Sequence, residues 1–239
     1  METLLLRLAG PLQAWGTASK FNRRTTGREP TKSGVIGLIA AALGRSRDAP
    51  VDDLVGLRFG VRIDQGGELL KDYHTVHHPD DDKLSFVTER FYLADAVFLV
   101  GLEGDATLLL QIEGALQHPF YPLYLGRRSC PPVGPVSLGL RSKKLEEALA
   151  DESWQASSWY QVQQPPELCL EVVADADYGT SPIMVRDVPL SFSQSQRRYD
   201  FRTVSHDLSG VPIINKESRR CPDDTTEHDA LAILREEVN

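Results

Sequence analysis

Arg23 to Leu43, RRTTGREPTKSGVIGLIAAAL, constrains the chain more than any other stretch: a cluster of cations passes through Gly27 and Pro30 directly into an apolar helix. Val35, Ile36, Leu38, Ile39, Ala42 and Leu43 recur at helical spacing and Gly44 follows as a stop signal, so the helix must lie on a core. Ser33 and Gly34 stand where that helix begins. The exposed N–H groups and positive dipole end of a helix N-terminus favour phosphate or carboxylate. Arg23, Arg24, Arg28 and Lys32 add charge, and Thr25, Thr31 and Ser33 add hydroxyls. The stretch reads as an anion grip.

The formal net charge of -8 argues against nucleic acid as a whole-chain sum, but binding follows local distribution. Cations gather at Arg7, Lys20, Arg23, Arg24, Arg28 and Lys32, and again at Arg127, Arg128, Arg141, Lys143 and Lys144, whereas acids gather at Asp80 to Asp82 and after Pro222. Taken singly, either basic block equally suits a solvated face. No apolar run approaches the roughly 20 residues of a membrane helix, and METLLLRLAGPLQAWG has no cationic region ahead of its apolar run. Cys130, Cys169 and Cys221 are widely spaced without a CxxC, which indicates neither a disulfide framework nor a zinc site. A cytoplasmic protein is expected.

Along the chain, Thr3 to Leu8 is a β run ended by Gly10-Pro11, and Trp15 in the next turn suits a core anchor better than a base-stacking platform. Leu57 to Asp64 alternates, and Gly66-Gly67 after it signals a hairpin into ELLKDYHTV. Leu84 to Tyr92, which has no clean apolar face, reads as one arm of a protruding hairpin. Ala96 to Leu102 is a buried strand, Thr107 to Leu116 a second amphipathic helix after the Asp105 cap, and Tyr121 to Leu125 a short strand. The order approximates β-α-β-β-α-β, a ferredoxin-like α+β unit with two helices on one face of an antiparallel sheet and the other face open, a common platform for RNA. Gly126 to Pro135 is a second glycine-proline loop with cations at its head. LEEALA reads as a short helix, and SSWYQV, LCLEVVA and IMVRDVPLSF as β runs. The expected division is therefore residues 1–141 and a smaller β-rich part at 142–239. Arg197 to Val204 alternates cations with aromatics, as suits a strand beside nucleic acid or a charge-guarded edge, and the acidic tail from Cys221 is expected to fray.

Four chemistries compete. Gly27-Arg-Glu-Pro-Thr31-Lys32-Ser33 approaches a phosphate loop, but Thr31 occupies the position before the lysine where that pattern requires glycine. His74, His77, His78 and Asp80 to Asp82 could hold a divalent ion, yet His74 and His77 on a strand point to opposite faces. His74, His118 and His206 are candidate bases for metal-free RNA cleavage, without a recognisable spacing. The reading we prefer is binding without catalysis, cofactor or metal: two basic loops form a track for an anionic polymer, with Phe21, Tyr73 or Tyr199 available for stacking.

LRLAGPLQAWG at 6–16, GREPTKSGVIGLIAAALG at 27–44, DYHTV at 72–76 and YLGRRSCPP at 124–132, in that order, resemble the CasD family of the RAMP superfamily, subunits of the type I-E CRISPR surveillance complex, Cascade. The resemblance implies a RAMP fold with a β-hairpin thumb, at about 77–92, and a non-catalytic subunit that supports antiviral targeting. It implies as partners the 5′ handle of CRISPR RNA, the CasC backbone filament that the subunit caps, the large CasA subunit, and target DNA only through the complex, with no membrane. Relatives in another subtype cut the RNA themselves, so a metal-independent endoribonuclease acting on CRISPR repeat RNA stays open as the alternative. Carried over by motif, Gly10, Trp15 and Gly16 lie near the RNA. Arg23, Arg24, Arg28, Thr31, Lys32 and Ser33 meet phosphates, His74 leads into the thumb, and Arg127, Arg128 and Ser129 form a further RNA-facing loop.

Overall fold

Leu4, Leu5 and Leu6 follow one another without alternation because their strand is covered on both faces. Leu4, Leu6 and Leu8 belong to one apolar cluster and Leu5 to another. In this computed structural model, which describes residues 2–16, 23–78, 81–176 and 183–220, the elements begin with β1 (Glu2–Ala9), β2 (Leu12–Gln13), β3 (Arg23–Arg24), α1 (Lys32–Ala42), α2 (Asp52–Val55) and β4 (Arg58–Gln65). They continue with β5 (Glu68–His78), β6 (Asp81–Ala94), β7 (Val97–Gly104), α3 (Ala106–Gln117), β8 (Ser137–Arg141), α4 (Leu145–Asp151) and α5 (Ser158–Gln163). β9 (Glu167–Asp175), β10 (Ile183–Ser191) and β11 (Arg198–Ile214) complete them.

A seven-stranded antiparallel sheet runs β10-β11-β9-β4-β7-β1-β8. Its β4-β7-β1-β8 portion, with α1 and α3 packed on one face, is the split β-α-β unit expected from the element order. Residues 142–220 do not form a sheet of their own: β9 pairs with β4 at Gly60↔Ala174, Val61↔Val173 and Arg62↔Val172. The unpaired backbone edge that β4 would otherwise present accounts for this continuation. β11, read as a possible edge, lies between β10 and β9. No strand forms at Tyr121–Leu125, which contains Pro122, and the fourth strand of the unit is β8. SSWYQV is the short helix α5 rather than a strand.

The face opposite α1 and α3 is not open. Leu145, Ala148 and Leu149 of α4 cover Leu5, Leu99 and Ala174, and burying each leucine stabilises by about 1.5–3 kcal/mol. Gly60 and Gly101 make room for them: a Cβ at Gly101 would lie 2.5 Å from Leu145 Cδ1. Arg62, fully buried, fixes the end of α4 by pairing with Asp64 (Nε to Oδ1, 2.7 Å) and donating to the carbonyls of Leu149, Glu152 and Ser153. A Gly101→Ala variant is expected to lose about 1–3 kcal/mol by overpacking, read as a shift in the urea midpoint at unchanged slope.

β5 and β6 pair from Glu68↔Ala94 to His77↔Ser85 in a second sheet that also holds β2 and β3 on the other edge of β6. This is the protruding hairpin, rooted at residue 68 and not near His77. Gly66-Gly67 is correspondingly not its turn but the point where the chain passes from the large sheet to the small one. Gly67 has φ +71, and a Cβ there would sit 2.6 Å from the Ala94 carbonyl oxygen. Among the described residues no helix is long and apolar enough to cross a membrane. Phe21, Cys221 and the acidic tail lie outside the described residues.

Candidate nucleic-acid interface

Three segments distant along the chain are knitted together at the root of the hairpin. Ala14 N–H donates to the Leu125 carbonyl (3.1 Å), Gly27 N–H to that of Trp15 (2.5 Å), and Trp15 N–H to Thr26 Oγ1 (2.8 Å). Gly126, at φ +83, passes so close to Ala14 that a Cβ would lie 1.7 Å from its carbonyl oxygen, so only glycine closes this crossing. Arg127 makes the third tie. Its Nη1 donates to the Phe91 carbonyl (3.0 Å), its Nη2 to the Arg24 carbonyl (2.9 Å), and its guanidinium stacks 4.6 Å from the Tyr92 ring centre. Arg127 therefore acts as a strut joining β3, β6 and the second basic loop.

On this framework Arg24, Arg28 and Arg128 are exposed, and their guanidiniums have no hydrogen-bond or ion-pair partner among the described residues. Gly16 and Ser129 are exposed beside them, and Gly10 is half-buried against the Pro131 carbonyl. Arg23 is turned to the hairpin's other face, where its Nε lies 3.7 Å from Glu89 Oε2 and its guanidinium 5.2 Å from the Phe91 ring. Lys71 joins that cluster, 2.7 Å from Glu89 Oε1 and 4.4 Å from the Tyr73 ring centre. The Lys71 hydrogen bond holds the Glu89 carboxyl below the usual carboxylate range. The result is a cation–aromatic surface with Tyr73 62% exposed.

The anion that the N-terminus of α1 grips belongs to the protein. Lys32 N–H donates to Asp187 Oδ2 (2.8 Å), and Lys32 Nζ, its side chain 8% exposed, pairs with Asp175 Oδ2 at 3.1 Å. Arg202 bridges both acids, to Asp175 Oδ1 (2.6 Å) and Asp187 Oδ1 (2.7 Å). Burial works against the Arg202 charge, and Asp187 with Asp175 more than offsets it. Lys32 is therefore turned into the body. Thr31 is the buried N-cap, its Oγ1 accepting from Gly34 N–H (3.2 Å), with Ser33 Oγ 3.4 Å from it. Trp15, 1% exposed, packs under Gly34 and donates its Nε1 proton to Gln13 Oε1 (3.0 Å), which makes it the core anchor. His74 is on the hairpin, hydrogen-bonded to Asp72.

Among the described residues no group of three or more acids, histidines or cysteines is placed to hold a metal. The cluster best suited to proton transfer is at the body's side of the grip, where His206 Nδ1 lies 3.3 Å from Glu171 Oε1. Burial pushes the neighbouring Glu29 carboxyl up, and His206 pulls it back. Sequence reasoning missed Asp175, Asp187 and Arg90. Arg90, in SFVTERFY, stands in register with Arg24, and a cation between aromatics near the foot of a hairpin was the available signal.

The profile of a family described as CRISPR-associated protein (Cas_Cas5) matches residues 3–205. A curated relative, the CRISPR system Cascade subunit CasD of Escherichia coli (strain K12), is 41% identical over 157 residues, 57% of this chain and 70% of the relative. A solved structure titled "Crystal structure of Cas protein" is 41% identical with a TM-score of 0.69, covering 92% of this chain and 99% of its own. A chain of a "CRISPR RNA-guided surveillance complex" is 32% identical with a TM-score of 0.74, covering 93% and 95%. The profile spans most of the large sheet together with the hairpin and both basic loops, and on that extent the chain belongs to the CRISPR-associated Cas5 family.

Proposed function

We propose that this chain is a CasD-type subunit of a Cascade surveillance complex and holds the 5′ handle of CRISPR RNA without cutting it. The observation that carries this reading is the gathering of Arg24, Arg28 and Arg128, free of protein acceptors among the described residues, on loops tied together by Arg127. Guanidiniums without carboxylate partners suit phosphate, and the geometry of their forks favours bidentate contacts. The exposed Tyr73 and the cations beside it supply a stacking surface for unpaired bases. Leu69, Val76, Phe86 and Val87, all exposed on the hairpin, fit contact with neighbouring subunits, for which CasC-type backbone copies and a CasA-type large subunit are the proposed partners. Target DNA is reached through the assembled complex, in the cytoplasm.

One observation favours the endoribonuclease alternative: the His206, Glu171 and Glu29 cluster is half-buried and flanks Arg28. A single assay separates the two. Full-length protein incubated with single-stranded repeat-derived RNA, with Mg²⁺ or with EDTA, is expected to bind in a salt-dependent manner and leave the RNA intact. Discrete cleavage that survives EDTA and is lost in His206→Ala would replace binding with catalysis, and no affinity for RNA at low salt would remove both.

A further inference from the structure

Arg90 lies where the hairpin leaves the body. β3 runs parallel along its outer edge with Arg24 in register with Arg90, and β5 places Asp72 in register on the inner edge. Side chains in register share a face, so two arginine side chains leave the same face of neighbouring strands, an arrangement that destabilises a sheet. The nearby acids offset it only in part. Asp72 is bonded to His74, and Glu89, one residue before, serves Arg23 and Lys71 on the opposite face. Arg90 Nε is shielded from solvent and has no hydrogen-bond acceptor among the described residues, whereas a buried donor is ordinarily satisfied. Arg127, the third cation here, already donates to two carbonyls.

We infer that Arg90 and Arg24 form a two-guanidinium clamp for one phosphate group of a single-stranded RNA, held in the crease between hairpin and body. This rests on the RNA-binding reading above and names where that binding is anchored. A phosphate offers unesterified oxygens on more than one side, so each guanidinium takes its own acceptor and the repulsion between them is neutralised. Arg23, one residue away, is excluded because it points to the other face, where Glu89 pairs with it.

The test is fluorescence anisotropy of the full-length protein with a repeat-derived RNA oligonucleotide carrying a 5′-hydroxyl, a 5′-phosphate or a single methylphosphonate linkage, across a salt series. Wild type is expected to lose several-fold in affinity at one neutralised position, internal or terminal, which distinguishes the two sources of phosphate. Arg90→Gln is expected to be insensitive to that same position and to show a salt slope lower by about 0.7, the value for one phosphate on a single strand. Arg24→Gln, an exposed change, is expected to match it and decides the matter if Arg90→Gln fails to fold by its urea transition. Folded variants that keep the wild-type slope and sensitivity overturn the clamp while leaving RNA binding intact. Wild type without RNA affinity overturns the broader reading.

Discussion

Replacing Asp187 with alanine is expected to lower the unfolding free energy by about 3–5 kcal/mol, the usual cost of removing one partner from a buried ion pair. Asp187 is 3% exposed. It accepts from Lys32 N–H at 2.8 Å and from Arg202 Nε at 2.7 Å and Nη2 at 3.1 Å. Without it the first turn of α1 loses its anion and Arg202 keeps only Asp175. Since a domain of this kind is held by about 5–15 kcal/mol in all, the urea midpoint should fall by a large fraction at unchanged slope. Asp187→Asn, which keeps an acceptor but not the charge, should fall between. Adding Arg202→Met to Asp187→Ala should recover part of the loss, because the unpaired guanidinium goes with it. A loss under about 1 kcal/mol for Asp187→Ala would mean that the contact between α1 and the C-terminal strands is held by apolar packing alone. The consequence for function is that β10 and β11 set where α1 begins and hence where the segment from Arg23 to Thr31 hangs.

This network also shows where reading the sequence stops. The chemistry of the α1 N-terminus, a site that wants an anion, was legible from Thr31 to Gly34. The owner of the anion was not, because Asp187 is 155 residues away and a cation such as Lys32 carries no mark of whether it faces outward. Both helices of the ferredoxin-like unit were legible for local reasons. Asp105 caps α3 by accepting from Thr107 and Leu108, and the 3.6-residue period survives because one face of each helix is buried. The hairpin's limits were not legible: with both faces largely exposed, its residues have no apolar alternation to announce where pairing starts. The cover on the second face was hidden for a different reason. LEEALA reads as a helix, but that it lands on Leu5 and Leu99 depends on Gly60 and Gly101, which only the assembled sheet brings under Leu145 and Leu149. The open face expected of the unit is therefore covered, and the two basic loops with the hairpin root are left as the proposed place for RNA.

On that proposal the cations of the two basic stretches fall into two kinds. The triple variant Arg24→Ala, Arg28→Ala, Arg128→Ala removes three exposed guanidiniums that hold nothing in the protein among the described residues. It should fold with a wild-type urea midpoint, as surface changes away from such contacts usually do. If each engages one phosphate, the salt slope of single-stranded RNA binding falls by about 2, which is a loss of roughly 100-fold at 0.1 M salt relative to 1 M. Lys32→Ala should do the reverse. Its ammonium pairs with Asp175 inside the body, so the variant should lose stability, and its RNA slope, measured well below the new midpoint, should stay at the wild-type value. An unchanged slope in the triple variant would sink the placement of the grip, and a slope that falls with Lys32 would return it to the helix N-terminus. The pair of measurements thus separates a cation that serves the ligand from one that serves the fold.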